Sequence, residues 1–356
     1  MIPSTGTHIL TVAELGERAL IARITARLPL APWVLVGPGD DAAVVEPEPR
    51  MAEVLTTDAF VEGVHFDRRF CPPDAIGHKV LAVNLSDLAA MGASPRAVLL
   101  SLILPDDFPV SDLDAILDGM LALAGRHRVA IVGGNITRSP APGQGPGRAP
   151  LVIDVTATGS VARRRVLTRA GARPGDDVYV TGSIGAGAVG LHAFLEAVGG
   201  RALTVPEGDS TEWADAQARY LRPQPRVRAG LMLSRNRAAS ASVDLSDGLA
   251  DGVRQLATAS GVGLVIDAAA LPIHETAARW YAARGIDALD AVLAGGDDYE
   301  LLFTSRRSQR GRLREARRAM GGLQVTRIGV VTKDCGIVLQ TAAGPREFPH
   351  GFEHFR

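Results

Sequence analysis

The sequence is short of lysine: of its 38 basic residues, only Lys79 and Lys333 carry an ammonium group. A Walker-type phosphate loop needs a Gly-Lys-Ser or Gly-Lys-Thr tripeptide, and the chain has neither. It also lacks the Val-Ala-Ile-Lys strand and the His-Arg-Asp loop of protein kinases. If the chain handles a nucleoside triphosphate, we expect it to do so without a lysine clamp.

Aromatic residues and net charge are also low. Phe, Trp and Tyr make up 4% of the residues, which argues against a base-stacking surface. The net charge of −1 implies no broad attraction to nucleic acid or to an anionic membrane. We therefore expect neither nucleic acid nor membrane among the partners of this chain.

Long apolar runs and cysteines are scarce as well. No uninterrupted apolar stretch is long enough to span a bilayer, and residues 1–10 lack the basic and then apolar pattern of a signal peptide. Cys71 and Cys335 are far apart and form no Cys-x-x-Cys pattern, so free thiols are favoured over a disulfide. These absences predict a soluble protein in the reducing cytoplasm.

The length of 356 residues predicts about two domains, which we place at residues 1–162 and 163–356. Helical and strand patterns mix in both halves without a steady strand–helix alternation, which favours an α+β fold with two mixed α/β domains. The longest predicted helices are residues 11–28 with a capping box at Thr11 and Glu14, 72–91, 111–127, 185–198, 245–260 and 308–320. The main predicted strands are residues 54–57, 97–104, 129–132, 151–158, 178–181, 263–266, 299–304 and 326–331.

The segment at residues 139–150, SPAPGQGPGRAP, is too rich in Pro and Gly for regular structure. A surface loop without a function is the favoured interpretation. A flexible flap is the alternative, because the segment follows the turn Gly133-Gly134-Asn135.

A short acidic phrase occurs twice, as Asn-Leu-Ser-Asp at residues 84–87 and as Asp-Leu-Ser-Asp at residues 244–247. We expect each copy to open or lie in a helix, which predicts two related half-sites. In such a helix Asn84 and Asp87 share one face. Only the second copy has a carboxylate at both ends, so we expect only that copy to bind metal through both ends.

Three more acidic turns lie at residues 39–41, 56–58 and 295–298. Acids at turns and helix starts are common without any function. Five such clusters in one chain weaken that structural interpretation, because hard cations such as Mg²⁺ require oxygen ligands. The pattern therefore indicates metal-assisted phosphoryl chemistry.

His65 is the one histidine near these turns that we considered as a site residue. A lone histidine is more often a structural or solvent-facing residue than a functional one.

Residues 185–190 fit the dinucleotide pattern Gly-x-Gly-x-x-Gly between a predicted strand and a predicted helix. The acidic residue expected about 20 positions later at the end of a second strand is missing, because Glu207 and Asp209 lie in a stretch broken by Pro and Gly. We interpret these glycines as a helix start with close helix packing.

Seven segments resemble, in the same order, the motifs of the thiamine-monophosphate kinases. They are GPGDDAAVV, TTDAFVEGVHF, KVLAVNLSDLAAMGASP, VGGNITRSP, VLTRAGARPGDDVYVTG, SVDLSDGL and GGDDYELLFT. This family belongs to the aminoimidazole-ribonucleotide synthetase-like ATP-binding superfamily. The similarity runs from the first predicted helix to the GFEHF tail.

The resemblance implies transfer of the γ-phosphoryl group of ATP to thiamine monophosphate, which gives thiamine diphosphate and ADP. It implies several Mg²⁺ ions and no general base, since an acceptor phosphate is largely ionised near neutral pH. It also implies two α+β domains and a homodimer in which the N-terminal sheets pair into a β-barrel.

Position by position, the resemblance implies three groups of site residues. The implied Mg²⁺ ligands are Asp41, Thr56, Thr57, Asp58, Asp87, Asp244 and Asp247. The implied nucleotide contacts are Gly134, Asn135, Arg169 and Ser246. The implied contacts to thiamine monophosphate are His65, Asp297 and Phe352.

Three positions depart from the family pattern. Asn135 stands where many members have Asp, which removes one negative charge from a metal site. Asp297 stands where Glu is frequent and has a shorter reach. Pro349 stands where an aromatic residue is common, so stacking on the thiamine ring falls to Phe348, to Phe352 or to neither. The alternatives are a sister ATP-dependent enzyme with another small substrate and a nucleotide-binding homologue with weakened catalysis.

Overall fold

A computed structural model describes residues 8–140, 149–199 and 210–349. Its α-helices are α1 (Val12–Leu15), α2 (Glu17–Thr25), α3 (Pro73–Ala90), α4 (Val110–His127), α5 (Ala186–Val198), α6 (Ser210–Leu221), α7 (Val227–Asn236), α8 (Leu249–Ser260), α9 (Glu275–Ala282), α10 (Ala288–Ala294) and α11 (Arg310–Ala319). Its strands are β1 (Val34–Val36), β2 (Val44–Val45), β3 (Met51–Val61), β4 (Ser94–Leu104), β5 (Ala130–Arg138), β6 (Val152–Ala162), β7 (Asp177–Thr181), β8 (Ala241–Asp244), β9 (Gly263–Asp267), β10 (Leu301–Ser305), β11 (Val325–Thr332), β12 (Ile337–Thr341) and β13 (Gly344–Glu347).

The chain forms two compact units, each a mixture of helices and strands. The first unit comprises the described residues of Met1–Glu48, Thr56–Asn84 and Arg96–Thr158, and the second those of Pro49–Leu55, Leu85–Pro95 and Gly159–Arg356. The chain enters the second unit for the last time at Gly159, slightly before the predicted boundary at residue 162. The sequence pattern gave no sign that two short segments of the N-terminal half join the second unit.

The first sheet has four strands in the order β3-β6-β4-β5, with β4 and β5 parallel. Helix α4 buries one apolar face, formed by Leu113, Ile116, Leu117 and Met120. Helices α3 and α4 approach so closely that a Cβ at Gly119 would lie 1.8 Å from the Asp74 main-chain oxygen. Only glycine can occupy such a crossing without a shift of the main chain.

The second sheet has seven strands in the order β13-β12-β9-β11-β7-β10-β8. Strand β10 is antiparallel to both β7 and β8, and β11 is antiparallel to both β7 and β9. Strands β7, β8 and β9 therefore end at the same edge of the sheet at which β10 and β11 begin. We call this the loop edge, and two of its loops carry Asp244, Asp247, Asp297 and Asp298.

The structure confirms several sequence predictions. The capping box at Thr11 and Glu14 is present, and helices α3 and α4 lie close to their predicted bounds. Both cysteines are free thiols, Cys71 buried and Cys335 exposed. None of the described helices combines the length and apolar composition that crossing a membrane requires.

Two predicted helices have other bounds in the structure. The helix predicted over residues 11–28 is interrupted at Gly16, whose φ of 81° separates α1 from α2. The helix predicted over residues 245–260 begins only at Leu249, after Gly248 with a φ of 91°. A positive φ is compatible with glycine but not with a continuing right-handed helix, so apolar periodicity alone extended both predictions too far.

The close crossing of α3 and α4 gives a testable prediction. Replacing Gly119 with Ala forces the two helices apart, and we expect the free energy of unfolding to fall by roughly 1–3 kcal/mol. Urea unfolding followed by circular dichroism measures the change. The matched control is Gly125→Ala on the same helix, because a Cβ there meets nothing within 4 Å. Equal stability of the two variants would contradict the packing described here.

Candidate active site

Two acidic loops lie side by side at the loop edge of the second unit. They are loop 244–248, which follows β8, and loop 295–300, which precedes β10. Three main-chain hydrogen bonds join them: Asp297 N to Ser246 O (2.8 Å), Tyr299 N to Leu245 O (2.9 Å) and Leu245 N to Glu300 O (2.8 Å). The structure thus brings together two of the acidic clusters that the sequence singled out.

The pairing of these loops relies on unusual main-chain conformations. Asp297 and Tyr299 have φ values of 64° and 50°, in the left-handed region that costs a side chain about 1–2 kcal/mol. Between the loops there is no space for a side chain at Gly296, where a Cβ would lie 2.4 Å from the Ser246 oxygen. The Tyr299 hydroxyl donates to Asp297 Oδ1 at 3.1 Å and orients that carboxyl group.

The two copies of the Leu-Ser-Asp phrase meet in the second unit. The hydroxyl of Ser86, in the first copy, donates to Asp244 Oδ2 in the second copy at 2.7 Å. Both side chains are buried, whereas Ser246 is exposed and Asp247 is half-buried. The contact fixes one oxygen of Asp244, a residue expected to be a metal ligand.

The expectation that both copies open or lie in helices is wrong for the second copy. The first copy lies inside α3, where Asn84 is fully buried and its amide donates to the Val80 oxygen at 3.0 Å. The second copy forms loop 244–248, because its main chain pairs with loop 295–300 before α8 begins. The copies therefore have different backbone structures and are not equivalent half-sites.

Glu300 anchors loop 295–300 through an ion pair that the sequence did not indicate. Its side chain is fully buried, and it accepts hydrogen bonds from Arg226 Nε at 2.7 Å and from the Thr181 hydroxyl at 2.6 Å. Arg226 Nη2 pairs with its other oxygen. A buried carboxylate with an Arg partner and a further hydrogen bond is a structural anchor, so we assign Glu300 no contact with a ligand.

The glycines of residues 185–190 serve close packing, as the sequence predicted. Gly185, with a φ of 93°, precedes α5. A Cβ at Gly187 would lie 2.3 Å from the Asp297 oxygen, and one at Gly190 would lie 2.3 Å from the Ala216 oxygen. The first turn of α5 therefore packs directly against the main chain of loop 295–300.

The acidic turn at residues 56–58 lies within strand β3, where side chains alternate between the two faces. Thr56 and Asp58 therefore share one face of the strand. The hydroxyl of Thr57 lies on the other face, 3.0 Å from the Thr156 hydroxyl and 3.3 Å from Asp154 Oδ1. Thr57 can join Thr56 and Asp58 at a metal only through its main-chain oxygen.

His65 has a fixed orientation in the first unit. Its Nδ1 accepts a hydrogen bond from the Val61 N–H at 3.1 Å, and its ring stacks on Phe60 with centroids 5.3 Å apart. Because Nδ1 is the acceptor, the neutral ring carries its proton on Nε2. His65 can therefore present an N–H donor to an anionic group.

The remaining predicted residues of the first unit lie on exposed backbone. Gly134 and Asn135 are exposed on β5, and a Cβ at Gly134 would lie 1.9 Å from the Leu100 oxygen. Asp41 is exposed, and its N–H donates to Asp40 Oδ1 at 2.8 Å. In the second unit, Arg169 is exposed and its main-chain oxygen accepts from the Ser260 hydroxyl at 3.1 Å.

The structure of the C-terminal segment excludes one of the two aromatic residues that were expected to stack on a ligand. Phe348 belongs to the hydrophobic core of the second unit with 2% of its surface exposed, so it does not stack on a ligand. Arg254 Nη2 fixes the segment by donating to the oxygens of Phe348 and Pro349, each at 2.8 Å. Phe352 and most of the loop at residues 139–150 lie outside the described residues.

A cavity of about 460 Å³ opens in the second unit beside His274, which no sequence motif indicated. His274 Nδ1 accepts from the Thr276 N–H and begins α9, and its Nε2 lies 3.1 Å from Asp215 Oδ2. Burial, followed by the charge of Arg219, lowers the pKa of His274 despite the neighbouring Asp215 and Glu275. A neutral histidine fits its role as a helix cap.

No group of three or more His, Cys, Asp or Glu side chains converges on one point within residues 8–140, 149–199 and 210–349. A metal at the loops therefore needs hydroxyl, main-chain or phosphate oxygens in addition to carboxylates. Such mixed oxygen sets are usual for Mg²⁺, which commonly binds through one or two carboxylates and substrate phosphates.

Comparisons with known proteins cover almost the whole chain. Family models described as AIR synthase related protein match at residues 39–161 for the N-terminal domain and 173–341 for the C-terminal domain. Thiamine-monophosphate kinase of Bacillus subtilis is 34% identical over 345 residues, which cover 96% of this chain and 100% of the relative.

Solved structures give the same result. The crystal structure of thiamine-monophosphate kinase from Stenotrophomonas maltophilia matches with a TM-score of 0.76 and 38% identity, over 93% of this chain and 98% of that one. A structure described as AaThiL complexed with AMPPCP and TMP matches with a TM-score of 0.72 and 32% identity, over 98% and 100% of the two chains.

Proposed function

Because this chain belongs to the thiamine-monophosphate kinase family, we propose that it transfers the γ-phosphoryl group of ATP to the phosphate of thiamine monophosphate. The products are thiamine diphosphate and ADP. The observation that carries the proposal is the pairing of loops 244–248 and 295–300, which brings acidic residues and Ser246 to one edge of a sheet. A relative bound to an ATP analogue and TMP supports the choice of substrates.

The chemistry requires charge neutralisation more than proton transfer. Donor and acceptor are both phosphates, so dense negative charge must be brought together and aligned. The acceptor phosphate is already largely ionised near neutral pH, and we therefore assign no general base. The scarcity of lysine is consistent with this scheme, since carboxylate-bound metal takes the place of a lysine clamp.

The proposed metal ligands suit Mg²⁺, because all of them offer hard oxygen donors. They are Asp41, Thr56, Thr57, Asp58 and, in the second unit, Asp87, Asp244 and Asp247. When bound, several Mg²⁺ ions would neutralise and align the two phosphate groups. The Ser86 hydroxyl holds one oxygen of Asp244 and so fixes the orientation of this proposed ligand.

We assign the nucleotide contacts to Gly134, Asn135, Arg169 and Ser246. The main chain at Gly134 has no side chain to block the approach of a phosphate. The guanidinium of Arg169 offers a fork of donors for phosphate oxygens. Ser246 has an exposed hydroxyl between two proposed metal ligands, at a position fixed by its main-chain bond to Asp297.

His65 and Asp297 are the proposed contacts to thiamine monophosphate among the described residues. The Nε2–H of His65 suits a phosphate oxygen as its acceptor. The carboxyl group of Asp297 suits the cationic thiazolium ring better than a phosphate. Stacking of Phe352 on the thiamine ring stays a prediction. A cytoplasmic location of the protein also stays a prediction.

We further propose a homodimer that pairs the four-stranded sheets into a barrel. The supporting observation is apolar surface on one sheet: Leu55 on β3 and Leu99 on β4 are exposed by 67% and 44%. Contiguous apolar surface is typical of protein interfaces, and pairing of the sheets would bury these side chains.

The direct test of the function is a coupled assay of ADP release with thiamine monophosphate as acceptor. We expect steady ADP release only when ATP, Mg²⁺ and thiamine monophosphate are all present, with thiamine and other phosphate compounds inactive as acceptors. Release without dependence on thiamine monophosphate would rule out the proposal. It would favour the sister-enzyme or weakened-homologue alternatives.

In the same assay, Asp58→Asn tests the metal ligands. Loss of one charged ligand should lower kcat by about 100-fold or more while folding survives. Glu53→Gln is the matched control, because it removes a charge from the other face of the same strand. Equal turnover of Asp58→Asn and the wild type would refute the assignment.

Asn135→Asp restores the carboxylate that many relatives have. We expect the Mg²⁺ concentration for half-maximal rate to fall by about threefold or more, because each added ligand charge strengthens a divalent site. Asn135 is exposed, so stability should hardly change. An unchanged Mg²⁺ dependence would show that this position does not contribute to a metal site.

Leu55→Asp tests the dimer by sedimentation velocity. A charge on the proposed interface should convert a wild-type dimer into a folded monomer. Leu30→Asp is the control, since Leu30 is also exposed, by 76%, but lies outside the sheet. A wild-type monomer at micromolar concentration, or a Leu55→Asp dimer, would contradict the proposed assembly.

A further inference from the structure

The carboxyl group of Asp298 has a contact that the proposed chemistry does not use. The N–H of Gly185 donates to both of its oxygens, at 2.8 and 3.0 Å. Burial, with a further contribution from the carboxylates of Glu300 and Asp297, raises the pKa of Asp298 well above its ordinary value, while the Gly185 bond lowers it. The bond to the Gly185 N–H fixes the orientation of this carboxyl group.

The turn that Asp298 holds is also fixed from its other side. Ile184 N donates to the Pro272 oxygen and His274 N donates to the Ile184 oxygen, both at 3.0 Å. This turn, residues 182–185, therefore has main-chain bonds to the segment before α9 and a side-chain bond to loop 295–300. Asp298 thus links loop 295–300 to a turn that is held by main-chain hydrogen bonds to the segment before α9.

The turn at residues 182–185 also influences the position of Asp297. Helix α5 starts directly after Gly185, and the position of Gly187 lies so close to the Asp297 oxygen that no Cβ fits between them. Asp297 has a left-handed main chain, which is stable only where neighbouring structure holds it. A shift of the turn would therefore move the Asp297 main chain and its carboxyl group.

We propose that Asp298 is a positioning residue for the substrate. By holding the turn at Gly185, it keeps the first turn of α5 against Asp297 and directs the Asp297 carboxyl group toward the thiazolium ring. The identity of the substrate rests on the proposed function, whereas the anchoring of the loop does not. Glu300 differs from Asp298 because its partners, Arg226 and Thr181, make it a stability residue.

Hydrogen exchange tests the anchoring in the protein alone. In Asp298→Ala, peptides covering residues 183–188 and 295–300 should exchange at least about tenfold faster, since their shared hydrogen bond is lost. The control is Asp177→Asn, which changes a buried carboxyl group at the opposite end of β7, where Asp177 pairs with Arg327. Unchanged exchange in both peptides of Asp298→Ala would overturn the inference whatever the substrate is.

Steady-state kinetics test the consequence for the substrate. Asp298→Ala should raise KM for thiamine monophosphate by about tenfold and leave KM for ATP nearly unchanged. Asp298→Asn keeps an acceptor oxygen in the same place, so it should recover most of the loss. A rise of both KM values together, or an equal loss in Asp177→Asn, would indicate general destabilisation and overturn the positioning role.

A double-mutant cycle separates positioning from a direct contact. If Asp298 acts through Asp297, the substitution Asp298→Ala should change KM by less than about twofold when Asp297→Ala is already present. Additive effects would instead mean that Asp298 acts independently of Asp297. If exchange rises as expected but the wild type does not phosphorylate thiamine monophosphate, the anchoring stands and only the proposed function fails.

Discussion

The main-chain pairing of loops 244–248 and 295–300 is the constraint on which the site of the second unit depends. It holds several carboxylates close together, which their mutual repulsion opposes. Three backbone hydrogen bonds, and glycines with no space for a side chain, hold the loops together without using any of those carboxylates. The pairing therefore does not depend on Asp244, Asp247 or Asp297, the residues proposed to bind cations and substrate, and this arrangement suits phosphoryl transfer between two phosphates.

Three side chains support the loop pairing, and each does so through a different contact. Glu300 is fully buried and paired with Arg226, so it contributes stability. Ser86 fixes one oxygen of Asp244 and links the end of α3 to the loops. Asp298 ties the loops to the start of α5. Together these contacts hold rare backbone conformations at the loop edge, and strain of this type is commonly found at functional sites.

The sequence could predict the bounds of long helices, where the helical pattern continues over many residues. Helix α4 was predicted closely because its apolar residues repeat over many turns. Helix α3 is apolar nearly all round, and Asp74 marked its start. Loop 244–248 was predicted as helix because the apolar period continues through Leu245, and only the tertiary pairing with loop 295–300 overrides it. The Arg226–Glu300 pair could not be predicted, because its partners are 74 positions apart and Arg226 lies in no motif. The residue types of the site were visible in the sequence, but their contacts were not.

The proposed reaction is direct transfer of a phosphoryl group onto the phosphate of thiamine monophosphate. Phosphorus-31 NMR of the wild-type protein with ATP, Mg²⁺ and thiamine monophosphate can follow this transfer, because each phosphate product has its own signal. Direct transfer requires that the signals of ADP and of thiamine diphosphate grow in equal amounts, without free phosphate. Growth of ADP together with inorganic phosphate, while thiamine monophosphate persists, would contradict it.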